Sequence, residues 1–104
     1  MTNDQVFHEC GPGWQGIIDP LVAKATELGA RVDQIKEKFG ELRFYFTSGQ
    51  TDTDALEEMI EAAEEASKHT CEMCGKPGVL MRSKHWYKTL CKEHALELGY
   101  KERA

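Results

Sequence analysis

The chain has 104 residues, enough for one domain with a modest core, or for one domain with a small appendix. Its 40% hydrophobic and 30% charged residues exclude a disordered acidic segment, and no apolar run approaches the ~20 residues needed to span a bilayer. A formal charge of −5 argues against a general nucleic-acid binder. Met1 to Glu9 is polar, without the apolar stretch of a signal peptide, so the expectation is a cytoplasmic protein with no membrane partner.

The charge is unevenly distributed. Residues 1–67 hold 5 Lys/Arg and 14 Asp/Glu, whereas residues 68–104 hold 8 and 4, giving balances of −9 and +4. The sign changes near Lys68, where the cysteines begin to cluster. This division predicts an acidic body, 1–67, and a basic cysteine-bearing appendix, 68–104, packed on the body because no low-complexity linker separates them.

In chain order, Cys10-Gly11-Pro12-Gly13 reads as a turn whose two glycines can adopt positive φ. Trp14, Ile17, Ile18, Leu21, Val22, Ala25 and Leu28 then recur at the spacing of one helix face, and Gly29 is the stop signal. Pro20 interrupts the pattern. Either the helix runs through with a kink, or Asp19 caps a second segment with Pro20 at its first position. Residues 31–47 read as a hairpin: Leu42, Phe44 and Phe46 alternate with Arg43 and Tyr45, Val32 to Lys36 supplies the partner, and Gly40 lies in a turn of about three to five residues. Phe39 and the Leu42-Phe44-Phe46 face are expected to cover the first helix.

Asp54, with Glu57 three residues on, resembles a capping box that starts a second helix. Leu56, Met59, Ile60, Ala63 and Ser67 form its buried face. Glu57, Glu58, Glu61, Glu64 and Glu65 form its outer face, and Lys68 and His69 close its negative end. The body is therefore α+β, a small two-layer α-β-β-α unit.

Cys71-x2-Cys74 and Cys91-x2-His94 are separated by 16 residues. Zinc takes four thiolate or imidazole ligands in a tetrahedron, and each x2 spacing lets one tight turn present two. Val79–Arg82 and Trp86–Thr89 can form a short hairpin across Ser83-Lys84-His85, with Cys91 and His94 at the start of a last helix. This order describes a C-terminal treble-clef-like zinc finger holding one structural Zn2+ on Cys71, Cys74, Cys91 and His94. The competing reading is disulfides or unligated thiols, which an intracellular setting and a histidine in the fourth slot disfavour. Four protein ligands close the sphere, so the metal is expected to fold the appendix rather than to activate water.

Other residues carry weaker signals. His85 beside Trp86 and Tyr87 suits a turn residue better than a proton-transfer group. His-Me nucleases do carry a catalytic histidine on such a hairpin, yet no Asp/Asn/His set for their divalent metal is evident. His69 suits a helix end better than a competing ligand. His8 and Cys10 would need two further ligands, and Cys10 reads best as a buried turn thiol. Glu58, Glu61 and Glu65 share one helix face, which is either solvated surface or a carboxylate array imitating phosphates. Arg82, Lys84 and Lys88 beside Trp86 could grip nucleic acid or pack against the acidic body.

Taken together, Cys10-Gly11-Pro12-Gly13-Trp14, the run from Lys36 to Tyr45 (KEKFGELRFY), Cys71 to Gly75 (CEMCG) and Thr89 to His94 (TLCKEH) resemble successive blocks of small proteins found in phages and bacterial mobile elements. The resemblance covers most of residues 10–95. It implies a zinc-bearing C-terminal part and a phage or prophage accessory setting, and it carries over no catalytic residue. Pro20 departs from the family's pattern. The expected function is that of a non-enzymatic interaction protein that modulates or inhibits a host nucleic-acid enzyme or defence complex. The alternatives are direct nucleic-acid binding through the zinc finger, or a treble-clef nuclease using His85.

Overall fold

The computed structural model describes residues 10–49 and 51–102. A single 3-10 turn, Pro12–Trp14, leads into helix α1, Gln15–Glu27. α1 is continuous through Pro20, which together with Gly16 lies on the exposed side. The backbone carbonyl that Pro20 cannot serve therefore belongs to an exposed residue, where water can replace the lost hydrogen bond. The opposite side buries Trp14, Ile18, Leu21 and Ala25, as the apolar stripe requires.

Strands β1, Arg31–Lys38, and β2, Glu41–Thr47, pair antiparallel. Their connection is shorter than expected, because only Phe39 and Gly40 lie between them. Both have positive φ, 54° and 82°, the geometry of a two-residue turn that follows the strand twist. This overturns the expectation that Phe39 covers α1. At the turn its ring is 63% exposed and meets the ring of Tyr87 edge-on at 6.4 Å.

β1 also departs from simple alternation. The pairing passes from Val32 opposite Phe46 to Gln34 opposite Tyr45, leaving Asp33 as an extra residue in a bulge. The bulge lets Val32 and Ile35, three residues apart, both face the core. Asp33 accepts hydrogen bonds from Thr47 Oγ1 and Arg31 Nε. These two donors, Thr47 first, hold its carboxyl below the usual carboxylate range.

Helix α2, Asp54–Ser67, starts one residue earlier than the capping-box reading implies. Thr53 is the N-cap, its carbonyl accepts from Glu57 N–H, and the carboxylate of Asp52 accepts from Asp54 N–H at 2.9 Å. Leu56, Ile60 and Ala63 join α1 and the inner face of the hairpin in one core with Val32, Ile35, Leu42 and Phe44. Ser67 is the buried exception on this face. Its hydroxyl donates to Glu64 C=O at 2.6 Å and accepts from Leu42 N–H at 3.0 Å, which ties the helix end to β2. Ser67→Ala leaves that buried N–H without a partner and is expected to cost about 1–3 kcal/mol, read as a lower denaturant midpoint with an unchanged slope.

The remaining elements are β3, Val79–Arg82; β4, Tyr87–Leu90; α3, Lys92–Leu98; and β5, Lys101–Glu102. β4 begins one residue later than expected, so Trp86 belongs to the loop. β5 was not anticipated. It pairs with β3 and gives a three-stranded sheet in the order β4-β3-β5. Cys71, Met81, Leu90 and Ala95 make a second, smaller core under this sheet. Among the described residues no helix is long and apolar enough to cross a membrane.

Candidate metal centre

Cys71 and Cys74 stand on a tight turn that follows α2. Cys71 C=O accepts from Gly75 N–H at 2.9 Å, and Cys71 N–H donates to Lys76 C=O at 2.7 Å. Gly75 has φ +80°, which lets the chain fold back around the sulfurs. Cys91 is the N-cap of α3 and His94 lies in its first turn, so one helix end presents both. The ligand atoms of Cys71, Cys74, Cys91 and His94 all lie within 4.8 Å of one another.

Three of the six separations match those of a tetrahedron around a common centre. Cys74 Sγ to Cys91 Sγ is 3.8 Å, Cys71 Sγ to His94 Nδ1 is 3.7 Å, and Cys91 Sγ to His94 Nδ1 is 3.3 Å. Metal–sulfur bonds of about 2.3 Å and metal–nitrogen bonds of about 2.0 Å at tetrahedral angles require sulfurs about 3.8 Å apart and sulfur–nitrogen separations of about 3.5 Å. A disulfide would bring two sulfurs to about 2.05 Å, and none of these cysteines forms one. On the far side of the ring, His94 Nε2 lies 3.7 Å from Glu97 Oε2. A carboxylate there orients the imidazole so that Nδ1 faces the sulfurs.

The thiols are primed unequally. Burial pushes the Cys71 thiol up, but the backbone N–H groups of Cys91, Cys74 and Met73 outweigh it and hold the thiol below its ordinary range. At Cys74 the Lys76 N–H pulls down, while burial and the neighbouring Cys71 and Cys91 sulfurs push up and prevail. Crowded sulfurs resist carrying charge together, and a cation at their centre removes that resistance.

The first turn of the body sits directly on this knuckle. Gly13 N–H donates to Glu72 C=O at 2.6 Å, and Trp14 Nε1–H donates to Thr70 C=O at 2.9 Å. Neither Gly11 nor Gly13 has the positive φ suggested by their turn-like sequence. Their role is close approach. A Cβ on Gly13 would come within 2.2 Å of Cys71 O, 2.5 Å of Gly75 N and 2.6 Å of Cys74 N.

Glu72, inside the Cys71-x2-Cys74 spacing, is 1% exposed. Its carboxylate accepts from Gly11 N–H at 2.8 Å and from Lys88 Nζ at 3.3 Å, and Glu37 lies 3.9 Å from the same ammonium. Burial pushes the Glu37 carboxyl up, against the pull of Lys88. Sequence reasoning missed this network. The signal in the sequence is a glutamate placed between Cys71 and Cys74; its burial and its lysine partner show only in the fold. Of the two readings open for Lys88, a nucleic-acid contact or packing against the acidic body, the structure shows the second: its ammonium lies between Glu72 and Glu37, where two carboxylates need its charge.

The other singled-out residues lie away from the metal cluster. His69 is exposed and 3.5 Å from Glu65 at the end of α2. Cys10 is half-buried against the body core, and His8 lies outside the described residues. Glu58 and Glu61 are exposed on α2 with no ion pair among the described residues, while Glu65 is 3.3 Å from Lys68. Lys68, then His69, hold the Glu65 carboxyl below its usual range. Arg82, Lys84 and Trp86 gather with His85 around a hollow at the hairpin tip. Comparison with protein-family models, with curated proteins and with solved structures finds no match.

Proposed function

We propose that the chain is a non-enzymatic interaction protein of the phage or mobile-element kind. In this reading one structural zinc ion, held in a treble-clef-like finger, fastens the basic appendix to the acidic body, and the outer face of α2 engages a host protein. The observation that carries the reading is the closed donor set. Three sulfurs and one imidazole nitrogen lie close enough together to supply four ligands to one ion, and four protein ligands would leave no position for water or substrate. Zinc suits this set because it is borderline soft and takes tetrahedral thiolate–imidazole ligation without strain. The order of knuckle, hairpin and helix, with ligands on the first and last, supports the treble-clef description.

The hollow beside His85 is lined by Arg82, Lys84 and Lys101 and by no carboxylate among the described residues, which favours an interaction role over a nuclease that needs a divalent ion. Glu58, Glu61 and Glu65, spaced three and four apart, give α2 a row of carboxylates. Such a row complements the basic groove of a nucleic-acid enzyme, which supports a host protein of that class as the partner.

Immobilised protein is expected to capture such an enzyme from bacterial lysate, and duplex DNA is expected to compete it off. Glu58→Lys/Glu61→Lys/Glu65→Lys should lower the capture about tenfold or more, because like charges facing one another across an interface cost several kcal/mol. Unchanged capture by the triple variant would reduce the acidic face to solvated surface.

A further inference from the structure

We infer that the hollow at the tip of the β3–β4 hairpin is a binding site for single-stranded nucleic acid, with Trp86 as the platform for a base and Arg82, Lys84 and Lys101 as the phosphate contacts. This goes beyond the acidic-face reading and does not rest on it. The site is built locally. Ser83 N–H donates to Trp86 C=O at 2.9 Å and closes the four-residue loop, which leaves the Trp86 side chain outside the sheet and 70% exposed. The third cation arrives from a distant part of the appendix. Gly99, with φ +79°, ends α3 and returns the chain as β5, whose Lys101 pairs with Arg82 across the sheet. The resulting hollow, about 660 Å³, is lined by Arg82, Lys84, His85, Trp86, Tyr87 and Lys101, among others. Its volume is that of a site for a small organic ligand, and one or two nucleotides fit such a space.

Charge suits this hollow to a polyanion. Arg82, Lys84 and Lys101 have no ion-pair partner among the described residues. Lys88, two residues beyond Trp86, is neutralised by Glu72 and Glu37. In a chain of net charge −5, three cations without ion pairs among the described residues line one concave space with an exposed indole. An indole face stacks on any base, and flanking cations track the backbone.

Single strands fit better than a duplex for two reasons. A paired base hides its face in the stack, whereas an unpaired base can lie on Trp86. A duplex also carries one charge per ~1.7 Å of axis, so the −9 body repels it more strongly than a flexible strand at a salt-screened distance of about 8 Å.

The test titrates the full, metal-loaded chain into fluorescein-labelled oligo(dT) and oligo(U) of about 12 nucleotides, following anisotropy and tryptophan emission. The expected result is saturable binding with quenched Trp86 fluorescence. Trp86→Ala should weaken it about tenfold or more, and Trp86→Phe should keep most of it. Arg82→Ala/Lys84→Ala/Lys101→Ala should flatten the log–log salt dependence by about 2, three phosphates at about 0.7 each. Metal content and circular dichroism confirm that the exposed-site variants are folded. The Glu58→Lys/Glu61→Lys/Glu65→Lys variant should bind the strands at least as well, so a failure of the α2 reading leaves this result standing. The proposal is overturned by no binding at low salt, by full binding in Trp86→Ala, or by a duplex or a mononucleotide bound as tightly as the strand. Competition by poly-glutamate equal to that by unlabelled strand would also overturn it, and would assign the hollow to an acidic protein segment.

Discussion

Stripping the metal with a chelator is expected to unfold the region from Thr70 to Tyr100 and to lower the melting temperature of the whole chain by at least about 10 °C. Among the described residues the appendix core has four buried apolar side chains, Cys71, Met81, Leu90 and Ala95, too few to hold three strands and a helix alone. Structural zinc supplies about 10–16 kcal/mol in isolated finger peptides. In a domain of this size each 1 kcal/mol corresponds to about 4–8 °C, so even partial loss is visible. The effect is expected to reach the body, because Gly13 N–H and Trp14 Nε1–H lose their acceptors at Glu72 and Thr70 when the knuckle opens. In a Trp86→Phe background the fully buried Trp14 is the remaining tryptophan. Its emission should shift to the red on chelation and return when zinc is restored. Cys74→Ser should behave as the stripped protein does. Full zinc content in Cys71→Ser/Cys74→Ser, or a melting curve indifferent to chelator, would remove the metal centre from the account.

The second large effect is expected from a single methyl group. In Gly13→Ala the new carbon meets Cys71 O at 2.2 Å, Gly75 N at 2.5 Å and Cys74 N at 2.6 Å. All three are backbone atoms of the knuckle, so no rotamer change relieves the clash. Either the first turn lifts off or the knuckle spreads and its sulfurs leave their tetrahedral positions. The expected cost is about 3 kcal/mol, or a fall in melting temperature of about 12 °C or more, with weaker metal retention against a competing chelator. Gly16→Ala, three residues on, is the control. Nothing lies within 4 Å of its Cβ position, and alanine favours the helix, so a gain of about 0.5 kcal/mol is expected. Equal stability of Gly13→Ala and native protein would disprove the close approach.

The elements that read clearly from sequence are those whose partners are set by local period. The α1 stripe, the aromatic alternation of β2 and the Leu56-Ile60-Ala63 face of α2 need only their own spacing to be recognised. The Cys/His cluster is legible for a related reason, since each x2 pair is a local turn and only the meeting of the two pairs is long-range. Phe39 was misplaced because an apolar residue beside a strand looks like core. Its left-handed backbone follows from a two-residue turn that the hydrophobic pattern does not encode. The bulge at Asp33 was hidden because Val32 and Ile35, three apart, fit neither strand alternation nor a helix of that length. Gly11 and Gly13 were read through local φ, whereas what requires glycine there is backbone about 60 residues away. The sequence leaves Lys88 open between a nucleic-acid contact and the acidic body, and leaves Glu72 without a role, because it does not show that two arms close over them.

The contacts between the first turn and the knuckle also order events on the ribosome. Gly11 N–H and Trp14 Nε1–H find their acceptors 61 and 56 residues later. At about 5–20 residues per second, those acceptors follow several seconds after the donors. Through that interval α1, the hairpin and α2 can assemble, but Trp14 lacks its lid. Cys71 and Cys74 then emerge as a two-ligand site, and the donor set is complete only when Cys91 and His94 follow. A metal could therefore be captured only after both ligand pairs have emerged, and its capture would fix the knuckle that accepts from Gly11 and Trp14.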